Sequence, residues 1–200
     1  MKPAGILLAG GLATRMGGGD KSLRLLGGRP ILAHVIARIE SQVATLALNT
    51  NGDPARFTEW GLPVAADAIP GHPGPLAGIH AGMEWARAHH PDIVDIVSIP
   101  TDTPFLPVDL IERLQAVRDA DRAEIAVASS NGQAHPVVAL WPVRLAAEVH
   151  RLVTEDGMRR VTDFTRRYNV AYADFPVTGT DPFFNVNRAA DLELAQSLIL

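Results

Sequence analysis

The 200-residue chain is 47% hydrophobic and 20% charged, which is the balance of a globular protein with a sizeable core. Its formal net charge of −4 argues against a general nucleic-acid coat, because such proteins need a basic surface to neutralise phosphates. The absence of cysteine excludes disulfides and thiolate metal sites. The apolar run near the N-terminus is too short for a secretory signal or a membrane span, so we expect a cytoplasmic protein with neither nucleic-acid nor membrane partners.

Strands and helices are predicted to alternate through the first 120 residues. The pattern predicts strands at 4–8, 43–48 and 93–99, an extended piece at 62–66, and helices from Pro30, at 76–88 and at about 107–117. This alternation is typical of an α/β fold with a mostly parallel sheet.

The pattern changes after residue 120. Asn131-Gly132 lies between two β-rich runs and predicts a tight hairpin. Helices are predicted around 142–153 and 158–166, a strand at about 170–174, and a last helix at about 188–198 with Asn187 as its cap. Because no linker or low-complexity tract interrupts the chain, we expect one domain, 1–200, whose second half from about 121 faces a substrate.

A glycine-rich loop, LLAGGLATRMGGGDKS, follows the first predicted strand. In doubly wound sheets this loop is the usual place for phosphate, since glycines let backbone N–H groups approach an anion. Arg15 and Lys21 supply cations. Asp20 stands where a Walker A loop needs glycine, and the G-x-G-x-x-G spacing of dinucleotide sites is missing. The loop therefore predicts phosphate binding of another kind, with a flexible surface loop as the alternative.

Four further residues have two interpretations each. Asp102 ends a predicted strand and suits either a Mg²⁺ ligand or a helix N-cap. Asn49 and Asp67 follow extended segments and by themselves favour ordinary turns. Gly78 lies on a helix with other small residues, which indicates close helix–sheet packing or a surface for a nucleotide base.

Two other patterns are weaker. Ser130 lies in a serine-rich run before Asn131-Gly132 that faintly resembles a nucleophile elbow, but the predicted context is a hairpin and not a strand–helix turn, so we reject a serine hydrolase. Arg159 and Arg160 suit a solvated helix face, or contacts to an anionic second substrate.

Leu8 to Gly11, Arg15 to Gly17 and Asp20-Lys21 resemble the opening signature of nucleotidyltransferases with a glycosyltransferase-A-like fold. Within that superfamily the chain resembles the molybdenum cofactor guanylyltransferases over nearly its whole length. Further matches, in order, are Asn49, Asp67, residues 73–78, residues 101–104, His135-Pro136 and residues 184–187.

The resemblance implies a Rossmann-like three-layer sandwich that transfers GMP from GTP to the terminal phosphate of molybdenum-molybdopterin with Mg²⁺ or Mn²⁺, releasing pyrophosphate. It implies a nucleotide-binding half of about 1–120 and a pterin half of about 121–200. The implied catalytic residues are Arg15, Lys21 and Asp102, with Asp102 as the metal ligand. The implied nucleotide contacts are Leu8, Ala9, Gly10, Gly11, Lys21, Asn49, Asp67, Gly78 and Asp102, and the pterin candidates are Asn185, Arg159 and Arg160.

Other functions stay open at this point. The enzyme alternatives are a molybdenum cofactor cytidylyltransferase and a sugar-phosphate nucleotidyltransferase, although the Gly10-Gly11 pair favours guanine by analogy with pyrimidine-using members that carry LAAG. A non-catalytic nucleotide-binding adaptor is the alternative of another class, and Arg15, Lys21 and Asp102 together argue against it. Expected protein partners are other cofactor-biosynthesis proteins or molybdoenzyme chaperones.

Overall fold

A six-stranded sheet forms the centre of the computed structural model, which describes residues 1–9, 20–50, 53–69, 71 and 74–199. In chain order the strands are β1 (Ala4–Leu8), β2 (Leu25–Leu26), β3 (Arg29–Pro30), β4 (Thr45–Asn49), β5 (Asp95–Pro100), β6 (Ile125–Ser130), β7 (Gln133–Pro142) and β8 (Val170–Phe175). The central sheet has the order β4-β1-β5-β7-β6-β8, and β2 pairs with β3 in a separate hairpin.

The sheet is mostly parallel. Strand β1 pairs in parallel with both β4 and β5, and β6 pairs in parallel with β8. Strand β7 runs antiparallel between β5 and β6. The strands β1, β4, β5, β6 and β8 therefore all end at one side of the sheet, here called the carboxyl edge, which is where ligands bind in open α/β sheets.

Helices cover both faces of the sheet. They are α1 (Ile31–Ile39), α2 (Pro75–His89), α3 (Leu110–Ala120), α4 (Ala146–Thr154), α5 (Val161–Thr165) and α6 (Ala189–Leu198). One buried cluster joins α1 and α3 to residues such as Leu7, and the other joins α2, α4 and α5 to residues such as Ile6. Neighbouring residues of a strand point to opposite faces, so β1 contributes to both cores. The result is the predicted three-layer α/β sandwich.

No helix within the described part of the chain is long and apolar enough to cross a membrane.

The predicted hairpin is confirmed. Strand β6 ends at Ser130, β7 begins at Gln133, and both turn residues have positive φ, +48° at Asn131 and +74° at Gly132. A two-residue turn of this kind matches the twist of the paired strands.

The helix predicted from residue 142 begins later, because Pro142 still pairs with Asp95 at the end of β7. A 3-10 turn, Val143–Leu145, separates β7 from α4.

The prediction that Asn187 caps the last helix is wrong. The Asp191 carboxylate accepts hydrogen bonds from the N–H groups of Asn187, at 2.9 Å, and Arg188, at 2.8 Å. An acidic side chain in the first turn thus satisfies N–H groups that have no partner within the helix. The Asn187 side chain is left for a tertiary contact, described below.

Candidate active site

The segments that follow β1, β4 and β5 are joined by hydrogen bonds at the carboxyl edge. The Ala9 N–H donates to the Asn49 carbonyl at 2.8 Å, and the Thr101 hydroxyl donates to the Leu8 carbonyl at 3.2 Å. Ala9 is buried and Leu8 half-buried. The other predicted residues of the loop, Gly10, Gly11 and Arg15, lie outside the described residues.

Asn49 and Asp67, predicted separately as nucleotide contacts, lie together. The buried Asn49 amide donates from Nδ2 to the Ala65 carbonyl at 2.9 Å and to Asp67 Oδ1 at 2.7 Å. An amide nitrogen carries two protons, so these bonds use the full donor capacity of Asn49. A carboxylate has two oxygens, so the half-buried Asp67 can accept hydrogen bonds from a ligand as well as from Asn49.

Gly78 allows α2 to pack closely on β1. A Cβ atom at this position would overlap with Asn49 Oδ1 and come within 2.8 Å of Leu8 Cδ2. One turn further along α2, a Cβ atom on Gly82 would come within 2.5 Å of Ile6 Cγ1. Small residues here serve close helix–sheet packing, and at Gly78 they also make room for the Asn49 amide. A direct contact between Gly78 and a base stays a prediction.

Asp102 follows β5 and is mostly buried. Burial raises the pKa of its carboxyl above the ordinary value, while the charge of Lys21 opposes that rise. The helix-cap interpretation is wrong, because α3 begins after Asp109. The Asp102 carbonyl accepts a hydrogen bond of 2.9 Å from the Val186 N–H, which ties this loop to the segment before α6.

Lys21 contacts the same segment. It begins a 3-10 turn, Lys21–Leu23, and its Nζ donates to Asn187 Oδ1 at 2.8 Å. Together with Arg188 and Asp191, these two residues line an open pocket of about 460 Å³. Lys21 and Asp102 are distant in sequence, yet they contact adjacent residues, Asn187 and Val186, of the segment before α6.

Asp20 has a partner that the sequence analysis missed. Its side chain is only 6% exposed, and its Oδ2 lies 3.1 Å from Arg56 Nε. Arg56 also donates to the Thr50 hydroxyl at 2.8 Å, so the residue before Lys21 is tied to the end of β4. Burial raises the pKa of Asp20, and the Arg56 charge opposes this. In the sequence, Asp20 stands directly before Lys21, the lysine predicted to bind phosphate. A carboxylate at that position was the one sign that a second cation lies nearby.

The second-substrate candidates lie in two places. Asn185 is exposed, and its Oδ1 accepts a hydrogen bond of 2.9 Å from the Thr103 hydroxyl, next to Asp102. Arg159 and Arg160 are exposed and come just before α5. The Arg159 carbonyl oxygen lies 3.6 Å from the Cβ position of Gly74, which places these arginines beside the start of α2.

Asp102 suits a metal ion that a substrate brings with it. Among the described residues there is no group of three or more His, Asp or Glu side chains that could hold a metal by themselves. Mg²⁺ commonly takes one or two carboxylates and fills its other positions with waters and substrate phosphates. The mostly buried Asp102 carboxylate at the carboxyl edge, with Lys21 near it, matches that requirement.

A three-layer α/β sandwich with a lysine and a mostly buried carboxylate at the carboxyl edge can bind a nucleoside triphosphate together with its metal ion. The chain belongs to the MobA-like NTP transferase domain family, whose model matches residues 5–170. A molybdenum cofactor guanylyltransferase of Rhodopseudomonas palustris (strain BisB5) is 53% identical over 195 residues, which cover 98% of this chain and 93% of the relative. The predicted family and enzyme class are confirmed.

Solved structures share the fold. The molybdopterin-guanine dinucleotide biosynthesis protein A of Archaeoglobus fulgidus superposes with a TM-score of 0.74 at 22% identity, covering 98% of both chains. A Mycobacterium tuberculosis H37Rv protein, solved in complex with manganese, superposes with a TM-score of 0.70 at 18% identity, covering 98% of this chain and 99% of the other. The predicted fold class is thereby confirmed.

Proposed function

We propose that this chain transfers GMP from GTP to the terminal phosphate of molybdenum-molybdopterin, forming the guanine dinucleotide cofactor and pyrophosphate. The observation that carries the proposal is that Lys21 and Asp102 form hydrogen bonds with two adjacent residues, Asn187 and Val186 respectively. It supports a phosphate-binding cation and a metal-binding carboxylate acting on one substrate. The 53% identity to a relative named for this reaction supports the choice of base and acceptor.

The nucleotide lies, in this proposal, over the segments that follow β1 and β4. Its contacts are Leu8, Ala9, Gly10, Gly11, Lys21, Asn49, Asp67, Gly78 and Asp102, in the half formed by about 1–120. Asp67 contacts the base, because the Asn49 amide has both protons engaged within the protein. A carboxylate accepts hydrogen bonds and so suits the ring N–H and amino group of guanine.

The transfer needs no general base from the protein. A phosphate monoester has a second pKa of about 6, so the acceptor is already anionic near neutral pH. One of its oxygens forms a bond to the α-phosphorus of GTP while the bond to the bridging oxygen breaks, and pyrophosphate leaves with that electron pair. Lys21 and Arg15 neutralise the departing charge, and the protein aligns the two substrates.

Asp102 would hold Mg²⁺, with Mn²⁺ as the other candidate. When bound, the ion would neutralise phosphate charge and polarise the reacting phosphoryl group. Burial disfavours the lone Asp102 carboxylate, and the Lys21 charge partly offsets this. A bound cation would stabilise the charged form of this carboxylate, so Asp102 is suited to bind one.

The acceptor lies against the second half, about 121–200, with Asn185, Arg159 and Arg160 as its contacts. The exposed arginines suit an anionic ligand beside the start of α2. A cytoplasmic location follows from GTP as donor. Cofactor-biosynthesis proteins or molybdoenzyme chaperones would receive the product.

The test offers the purified protein each of the four nucleoside triphosphates with Mg²⁺, and with either molybdenum-molybdopterin or a sugar phosphate as the acceptor. Pyrophosphate and the dinucleotide product are measured, with reactions that lack the protein as the control. Of the four nucleoside triphosphates, we expect only GTP to give the dinucleotide product. A preference for CTP would show that the base is cytosine and not guanine. Pyrophosphate release only with sugar phosphates would show that the acceptor is a sugar phosphate and not molybdenum-molybdopterin. GTP binding without turnover would indicate a nucleotide-binding adaptor.

A further inference from the structure

Ser130, His135 and Asp181 form a hydrogen-bonded group, here called the Ser130 cluster. The Ser130 Oγ lies 2.9 Å from both Asp181 carboxylate oxygens and 2.7 Å from His135 Nε2. Because a carboxylate only accepts and a hydroxyl has one proton, Ser130 donates to Asp181, and His135 donates from Nε2 to Ser130. Burial lowers the pKa of His135 although Asp181 opposes this, which favours a neutral ring.

The Ser130 cluster is not a hydrolytic triad. Its hydroxyl lies between the carboxylate and the imidazole, whereas nucleophilic catalysis places the imidazole in the middle. Ser130 is also 0% exposed at the end of β6, so no substrate can reach its hydroxyl. The cluster acts by holding other parts of the chain.

What the cluster holds is the turn that begins at Asp181. Asp181 Oδ1 also accepts from the Phe183 N–H at 2.8 Å, and the Asp181 carbonyl accepts from the Phe184 N–H at 3.0 Å. The His135 ring lies against the Phe183 ring, with centroids 4.6 Å apart. Polar and apolar contacts thus attach this turn to the ends of β6 and β7.

The next three residues reach the candidate active site. Asn185 contacts Thr103, Val186 contacts Asp102, and Asn187 contacts Lys21, each through a hydrogen bond of 2.8–2.9 Å. Residues 181–187, here called the bridging segment, therefore run from the β6–β7 hairpin to the catalytic candidates. This segment has no helix or strand of its own, so its position depends on these two sets of contacts and on the burial of Phe183 and Val186 in the core.

We propose that Ser130, His135 and Asp181 are positioning residues for the phosphorylated pterin acceptor, which they serve by fixing the bridging segment so that Asn185 lies beside Asp102. The inference rests on the proposed function, since it concerns that reaction's acceptor. Asp67, which is proposed to contact the base, and Asn49, which donates to it, belong to separate elements. Lys21 follows Asp20, which Arg56 holds independently. Asp102 lies two residues after the end of β5, so it and Lys21 have supports outside the bridging segment, and loss of the Ser130 cluster should displace Asn185 more than either GTP contact.

The test compares Ser130→Ala and Asp181→Asn with Ser129→Ala. Ser129 is a matched control because its hydroxyl is also buried and bonds to β8, at 3.3 Å to the Ala173 carbonyl and 3.2 Å to Asp174, and not to the bridging segment. GTP affinity is measured by calorimetry with GTP and Mg²⁺, and steady-state kinetics give kcat and the KM for molybdenum-molybdopterin.

We expect the two cluster variants to lose roughly 10–100-fold in kcat/KM for the acceptor, because a misplacement of about 1 Å has an effect of that order. Their affinity for GTP should stay within about twofold of the wild type, a change well under 1 kcal/mol. Ser129→Ala should keep wild-type values for both. His135→Gln, whose amide can still donate to Ser130, should lose less than His135→Ala.

Three results would overturn the inference. The cluster variants could match Ser129→Ala in acceptor kinetics, their GTP affinity could fall in parallel with turnover, or His135→Gln could fail as fully as His135→Ala. If Asp181→Asn does not fold, Ser130→Ala decides. A wild-type protein that makes no dinucleotide overturns the proposed function and this inference with it. Active wild type with unaffected cluster variants overturns the inference alone.

Discussion

Lys21 Nζ donates a 2.8 Å hydrogen bond to Asn187 Oδ1, which connects the end of the glycine-rich loop to a segment near the C-terminus. One residue earlier, the Val186 N–H donates to the Asp102 carbonyl. The candidate phosphate lysine and the candidate metal carboxylate thus share one support. This arrangement explains why the Lys21 charge offsets part of the rise that burial causes in the pKa of Asp102. It leads to the first two predictions.

Asp102→Asn should lower kcat by roughly 10²–10³, because the amide has nearly the same shape but cannot hold a divalent cation by charge. The backbone bond from Val186 is kept, so the fold should stay intact. Pyrophosphate release measured across a Mg²⁺ titration, with circular dichroism as the check on folding, tests this. Turnover near the wild-type level would remove Asp102 from the metal site.

Lys21→Met should lower kcat/KM for GTP by roughly 10²-fold, since the positive charge that faces the pyrophosphate is lost. Lys2→Met is the matched control, because Lys2 contacts the Ser41 carbonyl and lies in no part of the candidate site. Steady-state kinetics with varied GTP measure the effect. Equal losses in both variants would mean that general charge, and not the position of Lys21, matters.

Gly78→Ala should destabilise the protein by about 1–3 kcal/mol and raise the KM for GTP, because the new methyl group displaces the Asn49 amide. Gly82→Ala creates a similar overlap with Ile6 but leaves Asn49 in place. Urea unfolding and GTP kinetics separate the two. If both variants changed the KM alike, Asn49 would not be part of the nucleotide site.

Arg56→Gln should lower the free energy of unfolding by about 1.5–3 kcal/mol, because it leaves the buried Asp20 carboxylate without its cation. Adding Asp20→Asn should recover part of that loss, since the uncompensated charge is then removed. Urea unfolding of the single and double variants measures this coupling. Strict additivity of the two substitutions would show that the pair does not interact.

Stability should fall as pH drops below about 7, in part through His80. His80 is 4% exposed, and burial lowers its pKa below that of an unfolded histidine, about 6.5. The unfolded chain therefore takes up a proton first, and stability decreases from just above pH 6.5 down to the folded pKa. The charged neighbours that modify this shift are Glu84, His150, Arg87 and Asp67.

The measurement is urea unfolding at several pH values between about 5.5 and 7.5, a window set by the histidine pKa. His80→Gln should flatten the dependence on pH. His89→Gln, which alters an exposed histidine on the same helix, is the control substitution. A slope that is the same in wild type and His80→Gln would exclude His80 as a source.

Local chemistry alone determined much of this protein. The apolar runs at β1 and β5, the turn at Asn131-Gly132 and the periodicity of α2 depend on residues a few positions apart, and each was predicted close to its observed place. The glycine-rich loop with its cations and the aspartate after β5 likewise pointed to phosphate and metal chemistry, because such residues act at strand ends whatever the rest of the fold.

Only the tertiary structure decided which side chains act together. The Asn187 side chain accepts a hydrogen bond from Lys21 and does not cap the last helix. The Asn49 amide donates to Asp67, and Asp20 forms an ion pair with Arg56. The Ser130 cluster exists because β7 runs antiparallel beside β6 and the chain returns past their ends. Apart from Ser130 and His135, which are five residues apart, these partners are far apart in sequence, so no local pattern predicts them. A hydrogen bond depends on distance and direction in space, and the order of the strands supplies both.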